Sequence, residues 1–302
     1  TRGSKRNART RDTHVIGADM PAPTLRNFNY ETAAQQRRRM QREANRKRTH
    51  RLGLVIGIIF GLLAILAIAG TAVYNSSLFS ITEVRVDGAQ RLTADHLTQL
   101  AAVPAGSTLL RVDTGGIVDR LESDPWVQSA SVSREFPSTL VLSITERTIL
   151  ANVEILPDNA SDPTTHWLVS TDGIWLGSSD DVSQLPADVT ADEVSKLPQI
   201  NNLTRGIQPI VGDAPDDVGL ENAISILNGF SSDMYSMVAS ISAPDAIQTT
   251  LTLTNNVSVA FGSADDIQAK EEAITTILNE HPGKVIYINV RVADRATYKA
   301  SS

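Results

Sequence analysis

The sequence predicts an α+β protein that one helix anchors in a membrane. A basic segment at 1–51 is followed by an apolar stretch at 52–74 without a charged residue, and the rest alternates strand-like and helix-like patterns. We therefore predict a disordered basic cytoplasmic tail at 1–51, a transmembrane helix at 52–74 and a short linker at 75–79. A compact α+β domain at 80–148 and a β-rich extracytoplasmic α+β domain at 149–302, with a mostly antiparallel sheet, complete the chain.

Charge is divided sharply along the chain. Residues 1–51 contain 14 Lys or Arg against 4 Asp or Glu, whereas residues 75–302 contain 13 against 30. The basic segment has few apolar residues to bury, so we predict it to be disordered, with a short helix next to the membrane. It either contacts anionic lipid or nucleic acid or, as we favour, only sets the membrane topology. The chain has no cysteine, which excludes a disulfide framework and a thiol nucleophile.

The stretch at 52–74 is long enough to cross a bilayer. At about 1.5 Å per residue it covers roughly 30 Å as a helix, the thickness of the hydrocarbon core. Basic residues cluster before it at 46–51, whereas 75–77 is uncharged, so the positive-inside rule places the N-terminus in the cytoplasm. The alternative is a cleavable signal peptide ending at Ala69, but the 18 apolar residues before that site exceed the usual length of about 7–15.

Gly53, Gly57 and Gly61 recur at four-residue spacing within the span. This spacing places them near one face of the helix, where small residues allow another helix to approach closely. Glycine is also common in membrane spans in general, so packing on a partner helix is one of two interpretations.

The segment after the span predicts a unit in the order strand, helix, helix, strand, strand. Ile81–Gly88 alternates apolar and polar residues, and Thr93–Leu100 has the pattern of a short helix that Thr93 caps. A second helix follows, which we expect Asp113 or Thr114 to cap. Apolar residues at every second position in 126–147 then predict a β-hairpin.

The rest of the chain predicts a second α+β unit. A loop-rich stretch runs to about 216, and the acidic pairs Asp216-Asp217 and Asp265-Asp266 stand at helix starts, where we expect them to cap. Strands are predicted at 151–156, 166–176, 251–253, 257–261 and 285–291, and helices at 217–229 and from 263 to a cap at Gly283.

Several short segments stand out in order along the chain: ITEVRVDG at 81–88, DPWV at 124–127, VSREFPSTL at 132–140, ITER at 144–147, FG at 261–262 and VIYINVR at 285–291. With these segments, the order of elements from Ile81 to Arg147 resembles a POTRA domain, and the whole arrangement resembles the FtsQ/DivIB family of bacterial cell-division proteins. Phe136 stands where the family often has tryptophan. The resemblance implies a single-pass membrane protein that acts by binding other proteins.

The residues contain no catalytic constellation. After residue 75 no serine lies three positions before a lysine, and neither Gly-x-Ser-x-Gly nor His-Glu-x-x-His occurs. His96, His166 and His281 lie far apart in the sequence, and we predict loop or surface positions for them. No acidic pair has the alternating spacing of a calcium loop. We therefore predict no enzymatic activity, no cofactor, no metal, no nucleic-acid partner and no small-molecule substrate.

The resemblance also implies a partner surface near the end of the chain. In the family the last strand receives a strand from a small FtsB/DivIC-type protein, which is paired with an FtsL-type coiled coil. The alternative is an ordinary sheet edge that its arginines guard against aggregation. The surface maps to VRVADRATY, with predicted contacts from Val290, Arg291, Arg295, Thr297 and Tyr298.

Two functions remain open. The first is a non-enzymatic scaffold of the divisome in the cell membrane, concentrated at the division septum, that couples early and late steps of septum formation. The alternative is a POTRA-bearing chaperone or translocation component of the envelope. That alternative requires tandem POTRA units and a downstream barrel, and the predicted strands of 149–302 are too few for one, so we favour the scaffold.

Overall fold

The computed structural model describes residues 30–74 and 76–301. It divides the chain into two compact units, Thr1–Ala72 and Val73–Ser302. The tail was predicted at 1–51, and its residues 1–29 lie outside the described residues.

A long helix, α1, spans Tyr30–Tyr74 and includes all of the described part of the first unit. Within it, Leu52–Tyr74 is long and apolar enough to cross a membrane, with a mean hydropathy of 2.9 and no buried side chains. The sequence predicted only a short helix before the span, whereas α1 begins 22 residues earlier than Leu52. Residues 30–51 contain neither glycine nor proline and are rich in Ala, Gln, Glu and Arg, which favour the helix.

The second unit begins with a three-stranded sheet in the order β1-β3-β2. Strand β1 pairs parallel with β3, and β2 pairs antiparallel with β3, so the predicted order of strands and helices is confirmed. Alternate residues of the strands and one face of each helix form a single apolar core. The elements are β1 (Glu83–Asp87), α2 (Ala94–Ala101), α3 (Thr114–Glu122), β2 (Val127–Glu135) and β3 (Thr139–Glu146).

Side-chain caps begin both helices of this part. Thr93 accepts a hydrogen bond from the backbone N–H of His96 at 3.2 Å, and Asp113 accepts one from Gly116 at 3.1 Å. Each cap satisfies a backbone donor that the first helical turn cannot. The sequence predicted the cap at Thr93 and gave Asp113 as one of two positions for the second cap.

A nine-stranded sheet follows, in the order β12-β11-β10-β9-β8-β7-β4-β5-β6. Its neighbours pair antiparallel except β4 with β7, β7 with β8 and β10 with β11, so the sheet is mostly antiparallel as predicted. The elements are β4 (Ile149–Ile155), β5 (Thr165–Ser170), β6 (Trp175–Ser178), α4 (Ala191–Lys196), β7 (Gln199–Asn201), α5 (Val218–Gly229), α6 (Ser232–Met237), β8 (Val238–Ser242), β9 (Thr250–Leu253), β10 (Ser258–Ala260), α7 (Ile267–Glu280), β11 (Val285–Asn289) and β12 (Thr297–Ala300).

Three differences from the sequence prediction concern short elements. The stretch predicted as loop contains α4 and β7, and the chain ends with a strand, β12, that follows the predicted final strand. The helix start at Asp217 is confirmed, with the carboxylate accepting from the N–H of Leu220 at 2.8 Å. Capping by Asp265-Asp266 is wrong, because Asp266 makes no capping hydrogen bond and Asp265 pairs instead with Lys270.

The two sheets of the second unit meet through apolar and ionic contacts. Leu92 packs against an apolar cluster that includes Trp126 and residues of the second sheet. The guanidinium of Arg91 donates to Glu193 of α4 at 2.7 Å, while the backbone N–H of Arg91 is held within the first sheet region by Glu146 of β3 at 2.9 Å. Whether 80–148 and 149–302 fold as separate domains stays a prediction.

Candidate partner-binding surface

Strand β12 forms one end of the nine-stranded sheet and, among residues 30–74 and 76–301, pairs only with β11. The N–H of Ser301 donates to the carbonyl of Lys284 at 2.7 Å, on the β11 side. Because backbone groups alternate in direction along a strand, the N–H and C=O groups of Tyr298 and Ala300 point away from β11. This edge therefore has free hydrogen-bonding groups that another strand can use.

All four side chains of β12 are exposed. Tyr298 is 45% exposed, and its ring stacks on the ring of His281, with centroids 4.5 Å apart and planes 29° from parallel. His281 directly follows α7, so the stack ties the end of the helix to the edge strand. Tyr298 lies opposite the buried Ile288 of β11, which places it on the face that α7 approaches.

The predicted contact residues divide between core and surface. Val290 is fully buried, and its N–H donates to the carbonyl of Ala260 at 3.0 Å. Its side chain belongs to the core, so the prediction of a partner contact there is wrong. The reason is the period of two, which places Val290 on the same buried face as Ile288. The other four predicted contact residues are exposed: Arg291, Arg295, Thr297 and Tyr298.

A groove of about 340 Å³ lies beside Arg291, between the start of α7 and residues 291–294. Gly262, at φ +81°, forms a tight turn here, and a Cβ at this position would lie 3.2 Å from Cγ of Arg291. Glycine thus suits both the backbone conformation and the close approach of the arginine stem.

Lys270 of α7 supports the wall of this groove. Its side chain is only 1% exposed, and its ammonium contacts the carboxylate of Asp265, donates to the carbonyl of Ser263 at 2.8 Å and lies 5.0 Å from the centroid of the Phe261 ring. The hydrogen bond from Lys270 lowers the pKa of Asp265 below its ordinary value. Sequence reasoning missed this pair, because the start of α7 had been placed before Asp265.

The end of the chain is locally basic. Residues 281–301 contain four Lys or Arg and one Asp, whereas residues 76–280 contain 9 against 29. Among the described residues, Arg291, Arg295, Lys284 and Lys299 make no ion pair within 4.0 Å. The surface around β12 thus has positive charge available for an acidic partner.

The other end of the sheet is partly covered. The N–H of Trp175 in β6 donates to the carbonyl of Asp213 at 3.0 Å, and the N–H of Gly212 donates to Trp175 at 2.9 Å. In the first sheet, an outward amide of β2, that of Ala130, donates to Glu122 of α3 at 3.0 Å. These contacts occupy outward backbone groups of β6 and β2, whereas the corresponding groups of β12 have no such partner among the described residues.

The remaining predicted residues stand apart from this surface. Gly53, Gly57 and Gly61 are exposed on α1, and a Cβ added at any of them would meet nothing within 4 Å. Packing through these glycines stays a prediction. His96 contacts Asp124 and His166 contacts Asp180, each at 2.7 Å. Across the described part of the chain, no group of three or more His, Asp or Glu residues could hold a metal ion.

Comparison with known proteins gives the class first. A family model described as "POTRA domain, FtsQ-type" matches residues 79–147, the region of the three-stranded sheet. The chain therefore contains a POTRA domain, and its described residues include one candidate membrane span.

Curated relatives then identify the family. Proteins named "Cell division protein FtsQ" are 28% identical over 77% of this chain in Mycobacteroides abscessus, 29% over 76% in Mycolicibacterium smegmatis and 24% over 74% in Corynebacterium glutamicum. The matches cover 66%, 61% and 90% of those proteins, so the chain spans just under two thirds of the first two. The matched domain is thus of the FtsQ type, and the chain is similar to proteins named FtsQ over 77%, 76% and 74% of its length, in agreement with the resemblance that its sequence predicted.

Proposed function

We propose that this protein is a non-enzymatic scaffold of the divisome that binds other membrane division proteins through the part of the chain after the span. It couples early and late steps of septum formation. The observation that carries the proposal is the edge of β12, which combines free backbone groups, an exposed aromatic ring and unpaired basic residues. The similarity to proteins named "Cell division protein FtsQ" supports the division role.

The proposed partner at this edge is an FtsB/DivIC-type protein, itself paired with an FtsL-type protein. Its strand would extend the sheet by hydrogen bonding to Tyr298 and Ala300, the two positions whose backbone groups point outward. Main-chain hydrogen bonds would supply affinity, and Arg291 and Arg295 would select acidic side chains.

The proposed location is the cell membrane at the division septum, with the N-terminus in the cytoplasm. The basic residues before Leu52 and the uncharged residues after Tyr74 support this orientation. The alternative of an envelope chaperone or translocation component receives no support from the fold, because a nine-stranded open sheet with intervening helices follows the matched POTRA domain.

The test is co-purification of the full chain with the FtsB/DivIC-type protein of the same cell. Ala300→Pro removes an outward N–H without removing a hydrogen bond to β11, and it should reduce capture strongly. Ala300→Ser retains the N–H and should capture normally. Equal capture by the two variants would refute strand addition at this edge. Mid-cell localisation of a fluorescent fusion, and filamentation on depletion, test the division role separately.

A further inference from the structure

Two large apolar side chains are exposed close to the point where the chain leaves the span. Leu78 is 67% exposed and Phe136 is 54% exposed. The ring of Phe79 lies edge-on to that of Phe136, with centroids 5.3 Å apart and planes at 86°. We call these three residues the apolar foot. The POTRA core does not bury Leu78 or Phe136, so their exposure requires another explanation.

The covalent chain keeps the foot near the membrane. Helix α1 ends at Tyr74, and Leu78 follows four residues later. Because an extended chain advances at most about 3.6 Å per residue, Leu78 lies within about 14 Å of the end of the candidate span. The interfacial layer of each leaflet is about 5–8 Å thick, so this short tether allows Leu78 to reach it.

The topology brings the distant hairpin turn to the same end of the domain. Strands β1 and β3 are parallel and start in register, with Glu83 opposite Thr139. The N–H of Thr82 donates to the carbonyl of Ser138 at 3.0 Å, next to Phe136. The turn at 136–138 is therefore held beside the first residues of the ordered domain, although more than fifty residues separate them in sequence.

Backbone contacts also fix Phe79 itself. The N–H of Leu109 donates to the carbonyl of Phe79 at 2.8 Å, and Ser80 forms an isolated bridge with Thr108. The residues that link the span to β1 are thus anchored to the POTRA domain. This arrangement leaves Leu78 only a short stretch of chain from the membrane.

The charges beside the foot are compatible with a lipid surface. Glu135 precedes Phe136, and the guanidinium of Arg85 contacts its carboxylate at 2.7 Å. This pair reduces the local charge that would otherwise repel anionic headgroups. Phenylalanine and leucine are side chains that amphipathic proteins bury at the boundary between headgroups and acyl chains.

We propose that the apolar foot inserts into the interfacial layer of the bilayer, in the leaflet on the side where α1 ends. The occupant is the lipid bilayer itself, because the foot is apolar, carries no net charge of its own and is tethered next to the span. Contact at both Leu78 and Phe136 would limit the tilt of the POTRA domain on its short linker. This inference is independent of the partner proposed for β12.

The absence of cysteine makes a labelling test direct. Single cysteines at Ser138, Ser133 and Ser129 in the full chain carry nitroxide labels, and the chain is placed in nanodiscs of neutral phosphatidylcholine, one copy per disc. Accessibility to oxygen and to an aqueous nickel complex then reports the depth of each label. We expect nickel accessibility at Ser138 to be several-fold lower than at Ser129, with Ser133 between them.

Substitution of the foot provides the control. Leu78→Ser removes an apolar side chain that is mostly exposed, and Phe136→Ser removes the ring that packs on Phe79; each should raise nickel accessibility at Ser138 several-fold. Thermal unfolding checks that the fold is intact, and Leu78→Ser remains informative if Phe136→Ser is destabilised. Ile247→Ser, at an exposed apolar position in the second sheet region, should change nothing.

Two results would overturn the proposal. One is equal nickel accessibility at the three labelled positions in single-copy discs. The other is protection of Ser138 that develops only when a disc contains two chains, which would assign the foot to a contact between copies.

Discussion

His281 and Tyr298 stack with ring centroids 4.5 Å apart, and the stack joins the end of α7 to the edge strand β12. Such an aromatic contact restricts a strand whose four side chains are all exposed and whose outer edge is unpaired. A strand that is already ordered loses less conformational entropy when a partner binds. The stack therefore contributes to the preorganisation of the proposed surface.

Removing either ring should weaken partner capture. Tyr298→Ala removes the stack and an exposed apolar contact, whereas His281→Ala removes the stack alone, so we expect a larger loss for Tyr298→Ala. Tyr298→Phe keeps the ring and should bind normally. Binding of the FtsB/DivIC-type protein to the full chain in nanodiscs measures all three, and a loss in the Phe variant would show that the hydroxyl, and not stacking, matters.

Charge reversal should act mainly on the rate of association. Arg291→Glu and Arg295→Glu place negative charge beside β12, so an acidic partner should associate several-fold more slowly at low salt. The difference should shrink at high ionic strength because salt screens exposed charges. Lys196→Glu on α4 is the matched control, since it makes the same change of charge away from β12. Equal association rates for all variants would argue against charge selection.

The sequence predicted the elements whose side chains alternate between core and solvent. Val132 and Leu142 face each other across β2 and β3 as the hairpin pattern required. Strand β12 gave no such pattern because both of its faces are exposed, and β7 has only three residues. Four of the five predicted partner residues lie at the surface, but Val290 does not. Val290 is buried because side chains alternate along the strand, so it lies on the same face as Ile288. The partner residues were taken from the family resemblance, which does not consider this alternation.

Lys270 should contribute to stability far more than an exposed lysine. Lys270→Met keeps a similar apolar volume but removes the ammonium and its contacts with Ser263 and Asp265, so we expect a loss of about 1–3 kcal/mol in the free energy of unfolding. Lys196→Met removes a second Lys–Asp pair, with Asp192, that is largely exposed. It should cost less than about 0.5 kcal/mol. Urea denaturation compares the two, and similar losses would contradict a specific role for the buried ammonium.

The same pair should make stability depend on pH. The pKa of Asp265 is lowered from its ordinary value of 3.8 in the folded protein, so the unfolded state binds a proton first as the pH falls. The contribution is therefore fully present above about pH 4–5 and is lost as the pH falls through the folded pKa. The difference in stability between the original chain and Lys270→Met should be constant near neutral pH and should shrink below that range. A difference that stays constant through the acid range would exclude the linkage.

Substitution of the two aspartates at helix starts should have different effects on stability. Asp217 is almost fully buried and caps α5 by accepting from Leu220, so Asp217→Ala should cost about 1–2 kcal/mol. Asp266 precedes α7 at φ +46° without a capping hydrogen bond. Glycine adopts this conformation at less cost, so Asp266→Gly should leave thermal stability unchanged or raise it. A lower melting temperature for Asp266→Gly would mean that its carboxylate stabilises α7 in another way.

Arg91 makes an ionic contact between the two sheet regions, and its side chain is 22% exposed. It donates to both carboxylate oxygens of Glu193, at 2.7 Å and 3.3 Å, and it lies 3.3 Å from Asp188. Hydrogen bonding to the carboxylate of Glu193 raises the pKa of Arg91. A paired arginine fork in a partly buried position is stronger than an exposed ion pair.

A double-mutant cycle isolates this contact. Arg91→Met and Glu193→Gln should each destabilise the protein, and the pair should show a coupling energy of about 1 kcal/mol in urea denaturation of the full chain. A parallel cycle on Arg85 and Glu135, whose side chains are both about half exposed, should give a smaller coupling. If Arg91 holds the two sheets together, Arg91→Met should also unfold in two transitions, one for the POTRA region and one for the larger sheet. A single transition with unchanged cooperativity would show that the apolar cluster around Trp126 alone joins them.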